Sequence, residues 1–220
     1  MEFKLQLVDA ALQAAPGGQG NKLKLGLQRG KQLQLRGVKR IRLLIVLLLF
    51  IAVPAGVWLG REEWFEHSQD APIRAAAQRY GVEPALVKAI VWRESRFHPG
   101  VRGRAGELGL MQIREDAAFE WAYAEKDTNF VHELCLDPQT NVFAGTFYLA
   151  KLLRRYTKTD NPLPYALADY NAGRGNVLKW NNGEATTNSM AFMAQIGFPS
   201  TSNYVLSVTR RFEHYREQFK

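Results

Sequence analysis

The chain is 220 residues long, enough for one ordinary domain plus extensions. Its net charge of +8 is unevenly spread: residues 1–42 hold nine Lys/Arg against Glu2 and Asp9, whereas residues 43–220 hold 20 against 19 acids. The basic excess belongs to the N-terminal tail, which argues against nucleic-acid binding by the folded part. The single cysteine, Cys135, excludes an internal disulfide, a zinc ribbon and a CxxC redox pair.

Residues 1–42 are polar and rich in Gly, Gln and Lys, with a loose echo in KLKLGLQRGKQLQLRG (22–37). Nothing nearby would cover these leucines, so this stretch predicts a disordered, cytoplasmic tail. A translation start downstream of Met1 is an alternative. Leu43–Gly60, LLIVLLLFIAVPAGVWLG, contains no charged residue, follows KRIR and precedes REE. As helix it would be roughly 27 Å long, just enough to cross a hydrocarbon core. The basic flank before it predicts an N-terminus inside and a domain outside, making this a single-pass inner-membrane anchor. The rival is a secretory signal with cleavage near Ala55, after Val53-Pro54-Ala55. A lipoprotein anchor is excluded, because no cysteine lies near the run. Residues 61–69 would be a linker.

From Asp70 to the end (70–220) the patterns are helical. Asp70 is expected to cap a helix through IRAAAQRY, ended by Gly81. VEPALVKAI (82–90) opens the next, with Pro84 suited to a first helical position, and Pro99-Gly100 would stop it. VRGRAGELG (101–109) reads as a loop, and LMQIREDAAFEWAYAEK (110–126) as one or two helices. NVFAGTFYLAKLLRRY (141–156) is strongly amphipathic, PLPYALADYNAG (162–173) is a short helix, and SNYVLSVTRRFEHYREQF (202–219) closes the chain. No β-branched alternation of strand length occurs, so the domain is expected to be all-α.

Within the helix around 84–95, one carboxylate stands out. At about 100° per residue, Glu94 falls near 80° when Leu86 is set at zero, inside the arc of Ile90, Val87, Val91 and Phe97; Ser95 and Lys88 fall on the other side. A carboxylate among apolar neighbours has its pKa raised, as a general acid requires. The alternative is an edge glutamate paired with Arg93 or Arg96. His67, His98, His132 and His214 are far apart and form no HExxH, so no metal is expected, and His132/Cys135 reads as structural. There is no GxSxG elbow and no Walker loop; GRG at 173–175 follows a helix, where a dinucleotide loop would follow a strand. No cofactor is implied, and carboxylate chemistry is the enzymatic option that is left.

ESRFHPG (94–100), GELGLMQI (106–113) and ALADYNAGRGNVLKW (166–180), in that order and spacing, resemble the lytic transglycosylases of the soluble type, which share a lysozyme-like fold with goose-type lysozyme. NVFAGTFYLAKLL and SNYVLSV resemble two further helices of that family, so the resemblance covers residues 72–217. It implies cleavage of the β-1,4 bond between N-acetylmuramic acid and N-acetylglucosamine in peptidoglycan, with a 1,6-anhydro product. Glu94 would be the acid and then the base. Ser95 would hydrogen-bond near the acid or substrate, Met111 and Gln112 would line the sugar groove, the Tyr170 hydroxyl would hold the acid, and Asn171 would touch substrate. Glu107, Glu115, Asp116 and Asp169 are weighed as second acids, Asp169 foremost, for a hydrolytic muramidase on the same scaffold. A catalytically inactive wall-binding protein is the third possibility. Two departures from the family pattern, REDAA after GLMQI and Glu107 where the family often has Ala, bear on subsite preference. Protein partners are not legible.

Overall fold

A computed structural model describes residues 19–219, with Gln6 and Ala10 before them. The chain divides into two units, residues 1–60 and 61–220. Among the described residues, every regular element is helical, and the only strand-like features are two isolated bridges in one loop.

The first helix, α1, runs Gln19–Ser68. Of the tail expected to be disordered, residues 1–5, 7–9 and 11–18 lie outside the described residues, while 19–42 are helical. Leu, Lys, Gln and Arg are good helix formers, although Leu25, Leu27 and Leu33 are exposed. The apolar run Leu43–Gly60 is helical throughout, and its large apolar side chains from Leu43 to Trp58 are exposed. Among the described residues no helix is long and apolar enough to cross a membrane. The side chain of Leu59 lies outside the described ones, and 43–58 alone would span about 24 Å. The expected linker is helical through Ser68.

In the second unit the helices are α2 (Asp70–Tyr80), α3 (Pro84–Ser95), α4 (Glu115–Ala124), α5 (Pro138–Arg155), α6 (Pro162–Ala172), α7 (Arg174–Trp180), α8 (Ser189–Gln195) and α9 (Pro199–Gln218). Short 3₁₀ turns lie at His132–Leu136 and Gly183–Thr186. Local chemistry sets several of these boundaries. Gly81, left-handed at φ 68°, ends α2 with its N–H on the Ala77 carbonyl. Asp137 caps α5 by accepting from the Thr140 N–H at 2.8 Å, and Asn161 caps α6 by accepting from that of Leu163 at 3.1 Å.

Helix α3 is the centre of the unit. It packs most extensively on α9, while α2 lies on α5 and α5 on α6. Residues 85–91 are buried all round, so the helix has no solvent face over that length. This corrects the expectation for Lys88 and Ser95, both of which are buried. A helix covered on every side buries its polar positions too, and these must find partners. The Lys88 ammonium donates to Asp70 at 2.7 Å and lies 5.0 Å from the centroid of the Tyr215 ring. Asp70, expected to be a cap, starts α2 with no capping bond and serves as this counter-ion.

The asymmetry of buried ion pairs gives a first prediction. Lys88→Met should leave urea stability within about 1 kcal/mol of the parent, because it removes a buried charge and keeps the volume. Asp70→Ala should cost about 3 kcal/mol by stranding the ammonium. Equal losses in the two variants would refute this account of the pair.

Candidate active site

Helix α3 ends at Ser95, before Pro99-Gly100, because Arg96 (φ 51°) and Phe97 (φ 65°) both turn left-handed. Two consecutive non-glycine residues in that region are costly. Burial of Phe97 and the stacking of Arg96 on Trp92, 3.7 Å from the ring centroid, offset the strain. The turn places Glu94 at the rim of the core.

Residues 101–114 form the neighbouring loop. Leu108 bridges to both Arg102 and Ile113, with reciprocal Leu108–Ile113 backbone bonds of 3.0 Å. Gly109 is left-handed at φ 75° and packs where a Cβ would lie 2.2 Å from the Cys135 carbonyl, so only glycine fits. Asn141, on α5 and fully buried, holds the loop with three hydrogen bonds. Its Nδ2 donates to the carbonyls of Leu108 (2.8 Å) and Cys135 (2.7 Å), and its Oδ1 accepts from the Met111 N–H (2.7 Å).

Between this loop and α4, α5 and α6 opens a cleft of roughly 410 Å³. Glu94 lines it from α3, and Glu107, Gln112 and Arg114 from the loop. Asp116 and Ala117 of α4, Tyr148 of α5, and Asp169, Tyr170, Asn171 and Arg174 from α6 and α7 also line it. Glu94 is half-buried and accepts the Tyr204 hydroxyl on Oε1 at 2.7 Å. Burial pushes its pKa up from the ordinary value near 4.5; the Tyr204 bond and Arg93 oppose this, and Glu107 adds to it. The alternative of an arginine-paired edge glutamate does not hold among the described residues: Arg93 donates to the Ser207 hydroxyl and Arg96 stacks on Trp92.

The other candidates separate. Gln112 (φ 47°) and Asn171 line the cleft, but both are partly engaged. The Gln112 amide donates to the carbonyls of Gly109 (2.8 Å) and Val101 (3.1 Å), and Asn171 Oδ1 accepts from Thr201 at 2.9 Å. Tyr170 borders the cleft, yet its hydroxyl donates to the Met111 carbonyl at 2.8 Å, and the acid is held by Tyr204. Ser95 lies away from the cleft lining and back-bonds to the Val91 carbonyl at 3.1 Å, the ordinary fate of a buried helical serine. Met111 is fully buried against Gly145, where a Cβ would meet its sulfur at 2.4 Å, and contributes its backbone to the site. Asp169 is 1% exposed; its Oδ2 accepts from Arg155 and, at 2.6 Å, from the Tyr156 hydroxyl. Its Oδ1 is buried without a hydrogen-bond partner among the described residues, and the residue belongs to the cleft lining. Glu115 is exposed and does not line the cleft, whereas Asp116 does.

The family model described as Transglycosylase SLT domain matches residues 71–192, more than half of the chain and inclusive of the Glu94 turn, the loop and the cleft. The chain belongs to that family. The chain is 36% identical over 113 residues to membrane-bound lytic murein transglycosylase C of Pectobacterium atrosepticum, covering 49% of this chain and 32% of that protein. It is 34% identical over 108 residues to membrane-bound lytic murein transglycosylase F of Desulfosudis oleivorans, covering 48% and 22%. Among solved structures, the 70-kDa soluble lytic transglycosylase in complex with bulgecin A aligns with a TM-score of 0.63 and 26% identity, over 76% of this chain and 27% of that one. An inactive mutant of the lytic transglycosylase Slt from Pseudomonas aeruginosa aligns with a TM-score of 0.62 at 24% identity, over 68% and 24%, and shares the fold. The chain spans about a third or less of the length of these proteins.

Arg114 and Arg174 are not singled out by the sequence, and Tyr148 and Tyr204, within NVFAGTFYLAKLL and SNYVLSV, read there as parts of helices with no role at the site. For Tyr204 a signal existed. Tyr204, Val208, Phe212 and Tyr215 form the buried stripe of α9, and a hydroxyl at its N-terminal end must find an acceptor. Cys135 is buried and its thiol is pushed up to about 12 by burial, so it is an inert packing residue. His132 Nε2 meets the Ile113 carbonyl at 2.9 Å. No group of three metal-ligating side chains occurs among the described residues.

Proposed function

We propose that this SLT domain is a peptidoglycan lytic transglycosylase, cleaving the β-1,4 bond between N-acetylmuramic acid and N-acetylglucosamine without water. The observation that carries the proposal is Glu94: a half-buried carboxyl in a polar cleft, oriented by Tyr204 and biased by burial toward its protonated form. A carboxyl shifted in this direction is suited to act as a general acid. Family membership and the printed names of the relatives support the same activity.

In this mechanism Glu94 gives its proton to the glycosidic oxygen as the C1–O bond breaks, and N-acetylglucosamine leaves with a free 4-hydroxyl. The acetamido group of the muramic acid stabilises the positive C1. The C6 hydroxyl of the same sugar then attacks C1, and its proton passes to the Glu94 carboxylate, restoring the acid. One carboxyl serves both steps, so the paired carboxylates of most glycosidases are not required. Gln112, Tyr170 and Asn171 are the proposed sugar contacts within the cleft. Met111 acts through its backbone, and Ser95, bonded to the Val91 carbonyl, is given no part in the chemistry.

The helical run Leu43–Gly60 is proposed as a single-pass inner-membrane anchor with the SLT domain on the periplasmic side. Its length, the basic flank before it and the membrane-bound names of the relatives support this. Cleavage near Ala55 would instead release the domain.

The test is mass spectrometry of purified peptidoglycan digested by the full chain in detergent, beside Glu94→Gln. Muropeptides lighter by one water, dependent on Glu94, are expected. Glu94-dependent products with ordinary reducing ends would make it a muramidase, with Asp169 or Asp116 of the cleft lining as the base. No Glu94-dependent product would leave a wall-binding role.

A further inference from the structure

Glu107 has no part in the chemistry above, yet the loop fixes it with some care. The Gly103 N–H donates to the Glu107 carbonyl at 2.7 Å, and the Ala105 N–H donates to its Oε2 at 3.0 Å. Gly103 makes room for the carboxylate: a Cβ there would lie 2.2 Å from Glu107 Oε2 and 2.9 Å from Gln112 Oε1. Any other residue would push the carboxylate aside. The group is thus laid across Gly103 on the loop wall of the same cleft that Glu94 lines from α3. Among the described residues no salt bridge forms to it, whereas Asp169 Oδ2 pairs with Arg155.

Other groups around the acid differ in kind. Arg93, on Glu94's own helix, and the Tyr204 hydroxyl of α9 both favour the ionised carboxylate. Tyr170 and Tyr148 face the cleft as neutral phenols, the former pushed well up by burial and by Glu94 itself. Arg114, Asp116, Asp169 and Arg174 also line the cleft. Burial and Glu107 act together against ionisation of Glu94, and Glu107 is the charged group acting in that direction.

Resting on the role given to Glu94 above, we propose that Glu107 is a positioning residue of the acid: a fixed negative charge on the loop wall that keeps Glu94 protonated between turnovers. Two negative charges sharing one cleft cost more than one, so the proton that returns from the C6 hydroxyl is held until the next glycosidic oxygen arrives. Removing the charge lowers the pH at which Glu94 ionises, and the alkaline limb of activity moves to lower pH.

The test compares the full chain with Glu107→Gln and Glu107→Asp. Gln keeps the acceptor for the Ala105 N–H and loses the charge; Asp keeps the charge. The Glu94 carboxyl is followed directly, by carbon-13 NMR of protein labelled at glutamate carboxyls and assigned with Glu94→Gln, alongside the pH profile of kcat/KM on peptidoglycan. Glu107→Gln should lower the Glu94 titration and the alkaline limb by about half a pH unit, roughly a threefold loss above the limb. Glu107→Asp should stay close to the parent. An unmoved titration in the Gln variant, or an equal shift in the Asp variant, overturns the proposal. The titration needs no turnover, so failure of the transglycosylase assignment in the muropeptide assay leaves this outcome separately readable.

Discussion

Glu94→Gln is expected to lower kcat on purified peptidoglycan by at least about a thousandfold and to leave the thermal midpoint of the domain unchanged or higher. The rate loss follows from the double duty of the carboxyl, since one positioned acid or base contributes roughly 10²–10⁴ and Gln can neither give nor take the proton. The stability effect follows from the direction of the pKa shift. Burial raises the folded pKa of Glu94 above its ordinary value near 4.5, so the folded chain binds this proton more tightly than the unfolded chain does. The stability it contributes is fully present below about 4.5 and is lost as pH rises through the raised folded value. Gln suffers no such loss and its carbonyl can still accept the Tyr204 hydroxyl. The midpoint difference between variant and parent should therefore widen in favour of the variant from pH 4.5 toward 8. A variant that is less stable at every pH would mean that Glu94 is there to support the fold, and its rate loss would say nothing about acid catalysis.

That trade between activity and stability was partly legible in the chain. The helical wheel put Glu94 in the apolar arc, and the structure has it half-buried there. The wheel failed for Lys88 and Ser95, because it assumes a helix with one wet side, and α3 has none along residues 85–91. Elements with strong local punctuation were read well: Gly81 after α2, Pro162 in α6, the amphipathic stripe of α5. The short helices α7 and α8 carry too few turns for a period to emerge. The identity of the tyrosine on the acid was not readable from motif position. Tyr170 lies in ALADYNAGRGNVLKW and Tyr204 in SNYVLSV, both family-like segments, and Tyr204, 110 residues beyond Glu94, meets the acid only because α9 packs on α3. Likewise the partners of Asp169, Arg155 and Tyr156, reach it only through the fold.

Asn141 shows the same limit in its sharpest form, and its removal should be the most damaging substitution outside the acid. One amide serves the Leu108 and Cys135 carbonyls and the Met111 N–H, all buried, and the loop backbone at Gly109 packs directly against it. Asn141→Ala leaves the Met111 N–H and the Cys135 carbonyl unpaired, at about 1–3 kcal/mol each, and leaves the Leu108 carbonyl with the Ile113 N–H alone. A water entering the vacated space would recover part of this, so a net loss of about 3 kcal/mol is expected in urea unfolding. Asn141→Asp is the stricter probe. It keeps the shape but turns a two-proton donor into an acceptor facing two carbonyl oxygens, so it should destabilise at least as much as Ala. Activity should fall further than the unfolded fraction accounts for, because the same loop carries Gln112, Glu107 and the Met111 carbonyl that holds Tyr170. A loss below about 1 kcal/mol in both variants would mean that the bridges at Leu108 hold the loop without Asn141.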